Sequence, residues 1–299
     1  MKEHIHKVLK RLGYKVLNIS KKEKDIQDLV RSFAVENDTK NLVYKSASFL
    51  FQIKKQFPEL SIVSHKEGVL ASFKGLQLYI ETPEEFFIIK EVFIEKDYNL
   101  LSQESFVVFD IGMNIGISSL FFGLKNNVEK IYSFEPVVPT YDQALHNLEL
   151  NPSYSNKIEA FNFGLGGSTR VEKVLYNSQA KGNCGIRLES SLVIDKDNAT
   201  AIEINIKNVS EVLPDLFAKH PEQKKVLKID CEGAEYEILQ KMNETNLLVA
   251  IDVLLIEWHD KGATILEELL VANNFSVISR HLTSITGMIY AFKNSTQKE

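Results

Sequence analysis

From Ser105 onward the chain alternates short apolar runs with amphipathic stretches, and this rhythm constrains the fold more than any other feature. The runs are FVVFDI, KIYSF, KIEAFNF, KVLKID and VLLIEW, followed by FSVIS and MIYAF near the end. Helical patterns at 115–126, 138–149, 234–243 and 261–273 separate them. Apolar runs broken by helices predict a mostly parallel sheet with helices on both faces. Ahead of this body, apolar spacing predicts helices at 3–12, at 25–36, and from Asp38 to Phe57. Two short strands are expected around SIVS and LQLYIE, broken at HKEG, and Pro83 opens a helix through EEFFIIKEVFIE. The chain therefore divides into an N-terminal helical region (1–65), a lead-in hairpin and helix (66–104), and a ligand-binding domain (105–299). Residues 164–207 form one long interruption, with strand-like VEKVLY and AIEINI around the polar KGNCGIR. An insert of that length in a compact domain points to a functional loop.

Composition narrows the function classes. Hydrophobic residues make up 44% and charged residues 25%, ordinary for a globular protein with a sizeable core. The net charge of −5 is uneven: residues 1–60 carry 13 Lys and Arg against 7 Asp and Glu, and the remainder 22 against 33. An acidic body lacks the clustered cations that a nucleic-acid surface requires, so no nucleic-acid partner is expected. The basic start reads as a solvated helix face. Cys184 and Cys231 form no CxxC pair, which argues against a disulfide framework and a zinc site. MKEHIHKVLKRLGYK has no signal-like apolar core, and no apolar run reaches about 18 residues. A cytoplasmic chain without stable membrane insertion is expected, and an oligomer is compatible with the sequence.

The stretch FDIGMNIG sits at the carboxyl end of the first strand of the alternating body. Open α/β sheets bind ligands at that edge, where the strand order reverses. Its glycines allow close backbone approach, and the following helix offers free N–H groups. The order Asp-x-Gly-x-Asn-x-Gly departs from the GxGxxG dinucleotide fingerprint. An acid at the strand end would repel a pyrophosphate and suits the amino group and sulfonium of S-adenosylmethionine (SAM). Glu135 ends the next strand, nineteen residues after Gly116, where a carboxylate can accept both ribose hydroxyls. KIDCEGAEYEIL then packs four acids into eight residues, with Asp230 and Glu232 ahead of the next helix and Glu235 and Glu237 at its start. Acids at helix starts are common for electrostatic reasons, so Glu235 and Glu237 carry less meaning. Glu257 and His259 end the adjacent run, which would put a histidine beside Asp230 at the same sheet edge.

FDIGMNIG, SFEP and KIDCEGAE, in this order and spacing, resemble the FkbM-type SAM-dependent methyltransferases, and EVFIEKDY before the first strand is similar to that family too. The resemblance covers about residues 68–280. It implies a Rossmann-like, seven-stranded class I methyltransferase sheet with the last strand antiparallel, here with a small N-terminal helical region. It implies SAM as cofactor and O-methylation of a hydroxyl on a sugar-containing or other small-molecule acceptor. Carried onto this chain, Asp110, Gly112, Asn114 and Gly116 would line the methionine part, Glu135 would hold the ribose and Asn162 would border the adenine. Tyr98 would cover the cofactor, and Asp230, Glu232 and His259 would face the acceptor. Met113 stands where a small residue is common and is expected to point outward.

His259 or Asp230 is the expected general base. The spacing demands no metal; an assisted reaction would use Asp230, Glu257 and His259 as ligands. No Asn/Asp-Pro-Pro-aromatic turn follows the fourth main strand, which disfavours amino methylation of bases, and Cys231 is expected in the core. Lys181 and Arg187 could meet an anionic acceptor, against a plain reading as a solvated loop. The alternatives are a SAM-binding, non-catalytic protein that acts on a partner through its N-terminal helices, and an NAD-type dehydrogenase.

Overall fold

The computed structural model describes residues 19–178, 181 and 199–295. The expected helix at 3–12, Cys184 and Arg187 lie outside the described residues. Three helices come first: α1 (Ile19–Arg31), α2 (Asn37–Lys45) and α3 (Ala47–Gln56). Where one helix was expected from Asp38 to Phe57, the chain makes two, divided at Ser46, whose hydroxyl bonds the Leu42 carbonyl at 2.7 Å. A three-stranded antiparallel meander follows, β1 (Ser61–His65), β2 (Gly68–Phe73) and β3 (Leu76–Ile80). The middle strand, GVLASF, buries Val69, Ala71 and Phe73 on one face; it escapes a sequence reading because the apolar Leu70 on its half-covered face breaks the alternation.

Thr82 caps the next helix, α4 (Pro83–Lys90), in a reciprocal box with Glu85, and Pro83 occupies its first turn. The helix loosens into a π turn over Glu91–Glu95. The alternating body is then β4 (Phe106–Ile111), α5 (Ile117–Gly123), β5 (Val128–Phe134), α6 (Val138–Glu149), the short α7 (Pro152–Ser155) and β6 (Ile158–Phe161). Next come β7 (Gly164–Gly166), β8 (Arg170–Tyr176), β9 (Thr200–Asn208) and α8 (Val209–Ala218). The chain closes with β10 (Lys224–Ile229), α9 (Glu235–Glu244), β11 (Val253–His259), α10 (Thr264–Ala272), β12 (Phe275–His281) and β13 (Thr286–Lys293).

The main sheet has seven strands in the order β12-β13-β11-β10-β4-β5-β6. β13 runs antiparallel to both its neighbours, while β11, β10, β4, β5 and β6 pair in parallel. The strand order reverses between β4 and β10, so the carboxyl ends of these two strands flank the crevice where such sheets bind ligands. The long interruption builds its own sheet, β7-β9-β8, beyond the main one. No helix among the described residues is long and apolar enough to cross a membrane.

One apolar cluster runs without a break from Leu29 and Val43 in the helices, through Val69 and Leu78 of the meander, to Val108, Leu120 and Leu255 of the main domain. A second fills the opposite sheet face around Phe109, Leu227 and Leu254. The meander is also tied on by polar groups. Gln143, Asn147 and Asn151 stand four apart, one above the other along α6 and its extension. Asn147 accepts from the Tyr79 N–H (2.7 Å) and donates to the Ile115 carbonyl (2.9 Å); Asn151 accepts from the Gln77 N–H (2.9 Å) and donates back to the Gln77 carbonyl (2.6 Å). Gln143 donates to the Tyr79 carbonyl at 3.1 Å. These amides satisfy the open edge of β3, which would otherwise expose unpaired backbone groups.

Asn147→Ala strips the Tyr79 N–H and the Ile115 carbonyl of their buried partner. A loss of about 2–3 kcal/mol is expected, since an orphaned buried group loses its full solvation. Urea unfolding of the variant against the parent checks this; an unchanged midpoint would show that the edge is held by packing alone.

Candidate active site

The floor of the crevice is a buried ion pair. The register sets Asp110 of β4 opposite Lys228 of β10 and Ser133 of β5. Lys228 Nζ lies 3.0 Å from Asp110 Oδ1 and donates to the Gly112 carbonyl at 2.5 Å. The other Asp110 oxygen accepts from Ser118 and Ser119, each at 2.6 Å. Burial on its own would lower the Lys228 pKa, but Asp110 and Asp230 outweigh it and raise the value.

Above this floor the chain turns at Gly112 (φ +83°), and the Gly112 and Met113 N–H groups donate to the Phe134 carbonyl at 3.1 and 3.0 Å. A Cβ on Gly112 would lie 1.7 Å from the Asp230 carbonyl oxygen, so glycine is obligatory there. Asn114 is left-handed (φ 51°), and its N–H donates to Glu135 Oε2 at 3.0 Å; the Val137 N–H donates to Oε1 at 3.0 Å. Burial pushes the Glu135 carboxyl up to about 7, although these N–H bonds pull it down.

Gly112 to Ile115, Glu135, Tyr98, Asp230, Glu232, Glu257 and His259 line one cavity of about 250 Å³. Three expected cofactor residues sit elsewhere. Asp110 is fully buried beneath the turn and is absent from the cavity lining. Gly116 caps α5 and packs toward Ala144. Asn162 donates to the Glu135 and Pro136 carbonyls (3.0 and 3.4 Å) and faces a separate depression beside β8 and β9. Met113, expected to point outward, is instead buried and lines the cavity. Lys181 is buried among Glu81, Glu85 and Gln143, so its charge is already matched. Cys231 is half-buried and packs against the core.

The far wall of the cavity is acidic. Tyr98 donates to Asp230 (2.9 Å) and Glu257 (3.3 Å). His259 is 3% exposed; its backbone N–H donates to Glu235 Oε1 at 2.8 Å, and its Nδ1 lies 3.3 Å from the same oxygen. Its Nε2 faces Glu232 and Glu257 (3.7 Å each) and Asp230 (4.0 Å). Burial alone would lower the imidazole pKa, but the Glu235 hydrogen bond and the charges of Glu232, Glu235 and Asp230 carry it up to about 9. Burial and the neighbouring Asp230 push Glu257 up to about 8. Glu232 takes a left-handed backbone (φ 53°) that lets the loop after β10 turn back toward the histidine.

Sequence reasoning passed over three of these groups. Glu235 reads as an ordinary helix-start acid, yet it is fully buried and fixes His259. Lys228 was readable as an anomaly, a lysine inside an apolar strand that must find a partner. Glu91 gave no signal: the π turn rotates it into the cavity, where burial and then Glu257 and Asp230 raise its pKa to about 9. Asp110 loses its standing as the group that excludes a pyrophosphate, since Lys228 balances it; that role passes to Asp230 and Glu232 on the wall.

The Glu91 shift has a stability consequence. Its carboxyl holds a proton in the folded chain up to about pH 9, whereas the unfolded chain releases it near 4.5. The associated stability is present at acid pH and lost as pH rises through that window. The thermal midpoint should therefore fall from pH 6 to 9, and fall less in Glu91→Gln. Equal falls in both proteins would show that Glu91 carries no such proton.

Comparison with known proteins identifies the family. Residues 110–276 match the family model of the methyltransferase FkbM domain. The chain is 30% identical over 201 residues to methyltransferase sdnD of Sordaria araneosa, covering 60% of this chain and 77% of that protein. It is 29% identical over 174 residues to methyltransferase 1 of Beauveria bassiana (strain ARSEF 2860), covering 53% and 67%. A crystal structure of methyltransferase FkbM from Methylobacillus flagellatus KT aligns at a TM-score of 0.45 and 14% identity, over 92% of this chain and 60% of that one. With its motifs on one crevice and the family model spanning the switch point, this chain belongs to the FkbM-domain methyltransferases and is a SAM-dependent methyltransferase.

Proposed function

We propose that the chain moves the methyl group of SAM to a hydroxyl oxygen of a sugar-containing or other small-molecule acceptor. The observation that carries this reading is that the glycine turn, Glu135 and the Asp230–His259 pair all line one cavity. The fit to SAM rests on the same wall. The Gly112 position admits no side chain, and the 112–115 backbone would hold the methionine part. Glu135, at the end of β5, would hold the ribose hydroxyls. Apolar Phe134, Pro136 and Leu165 line the cavity next to it and suit a flat base. Tyr98 would close the cavity over the methionine part. When bound, SAM supplies an electrophilic methyl on a sulfur that departs as a neutral thioether.

The protein's work is then alignment and proton removal. Alignment of acceptor oxygen and methyl carbon can supply several kcal/mol of the barrier. Proton removal falls to Asp230, the choice favoured over His259 because the surrounding carboxylates hold the imidazole in its charged form. With SAM bound, its methyl would pass to the acceptor oxygen and its sulfur would keep the bonding pair and leave as the thioether, while Asp230 would take the hydroxyl proton. Glu232 and His259 face the acceptor, and Glu235 keeps the ring of His259 in register.

Two measurements test this reading. Gly112→Ala should abolish SAM binding in calorimetric titration. Asp230→Asn and His259→Ala should each lower kcat by about 10²–10⁴ while SAM affinity stays near that of the parent. Labelled-methyl assays over pools of hydroxylated small molecules should give an alkali-stable ether product. Label released as methanol by mild alkali would mean ester formation and would reject the hydroxyl acceptor.

A further inference from the structure

We infer that Asp230, Glu232 and His259 form a divalent-cation site at the acceptor end of the cavity. One oxygen from each carboxylate and the imidazole nitrogen lie within 4.8 Å of one another. His259 Nε2 stands 3.7 Å from Glu232 and 4.0 Å from Asp230, too far for hydrogen bonds. Donors about 2.0–2.2 Å from one ion stand about 2.8–3.1 Å apart at right angles and about 3.3–3.6 Å apart at tetrahedral angles, so the observed spacings admit an ion once the donors close in by about half an ångström.

The independent observation is the orientation of His259. The residue is 97% buried, as 3% of it is exposed. Glu235 engages its Nδ1 and leaves Nε2 aimed into the cluster, 3.7–4.0 Å from Glu232, Glu257 and Asp230 and with no hydrogen-bond partner among the described residues. A carboxylate on the remote ring nitrogen is the arrangement that orients a metal-binding histidine. Charge points the same way. Asp230, Glu232, Glu257 and Glu235 surround this one imidazole. A single proton on the ring offsets one negative charge, whereas a divalent ion that takes the place of that proton on Nε2 offsets two; with or without the ion Nε2 is occupied, and proton removal stays with Asp230. Two hard oxygens and one imidazole suit Mn²⁺ or Mg²⁺ better than a soft thiophilic ion.

The inference rests on the methyl-transfer reading only in giving the ion a role. Asp230 would present Oδ1 to the ion and keep Oδ2, the oxygen that Tyr98 holds, as proton acceptor. The ion would bind the acceptor's oxygen and draw it toward the cofactor end.

The test uses the full chain, treated with EDTA, desalted and titrated with MnCl₂. Calorimetry and electron paramagnetic resonance should report one Mn²⁺ per chain, and electron spin-echo modulation should show coupling to an imidazole nitrogen, a signature that needs no variant. Asp230→Asn and His259→Gln should each weaken binding at least tenfold. Glu95→Gln should not, which separates this site from the acids around Glu91. SAM titration of the same samples reports folding and the cofactor reading separately. A chain that binds SAM but takes up no Mn²⁺, or binds it without nitrogen coupling, overturns the cation site and leaves the methyltransferase standing.

Discussion

The ion pair between Asp110 and Lys228 at the centre of the sheet is the contact on which the rest of the site depends. Either charge buried alone would cost several kcal/mol, so the two strands that carry them have one acceptable register. That register sets the ends of β4 and β10 level at the switch point. Lys228 also holds the Gly112 carbonyl, and Ser118 and Ser119 hold the second Asp110 oxygen. The turn, the start of α5 and the loop after β10 are thereby locked to one buried charge pair. An acid that sequence logic assigns to the ligand is, in the folded chain, the anchor of the surface that meets the ligand.

A second constraint shapes the opposite wall. Glu91, Asp230, Glu232 and Glu257 converge from three segments of the chain, and Lys228 beneath them is already matched by Asp110. Burial and mutual repulsion raise the proton affinity of Glu91 and Glu257, and the same field holds His259 charged. Asp230 and Glu232 in this wall favour cationic ligands and disfavour a pyrophosphate. The wall also explains why Glu235 is buried without solvent: its work is to hold the histidine ring and backbone at the strand end.

Much of this was legible in the order of residues. The alternation after Ser105 specified a parallel sheet, since apolar runs flanked by amphipathic helices have few other ways to bury themselves. Gly112, Glu135, Asp230 and His259 were readable because strand ends in such sheets share one edge. The meander was half legible: β1 and β3 showed, and β2, whose alternation Leu70 breaks, did not. Its attachment was not legible at all, because Gln143, Asn147 and Asn151 look like ordinary polar helix residues until β3 is laid beside them. Glu91 was hidden for a related reason, since only the π turn decides which way it faces.

The sequence by itself determined the strand–helix rhythm, the glycine turn and the set of acids at the strand ends, because each follows from local periodicity or from a backbone conformation that one residue type allows. The tertiary structure alone decided which acids meet the cavity and which hold it up. Asp110 went down to Lys228, Glu235 went sideways to His259, and Glu91 came in from the lead-in helix. Those outcomes depend on charges brought together from distant segments in a low-dielectric interior, where each carboxylate must find a proton, a cation or an N–H, and no local pattern records which of these it will find.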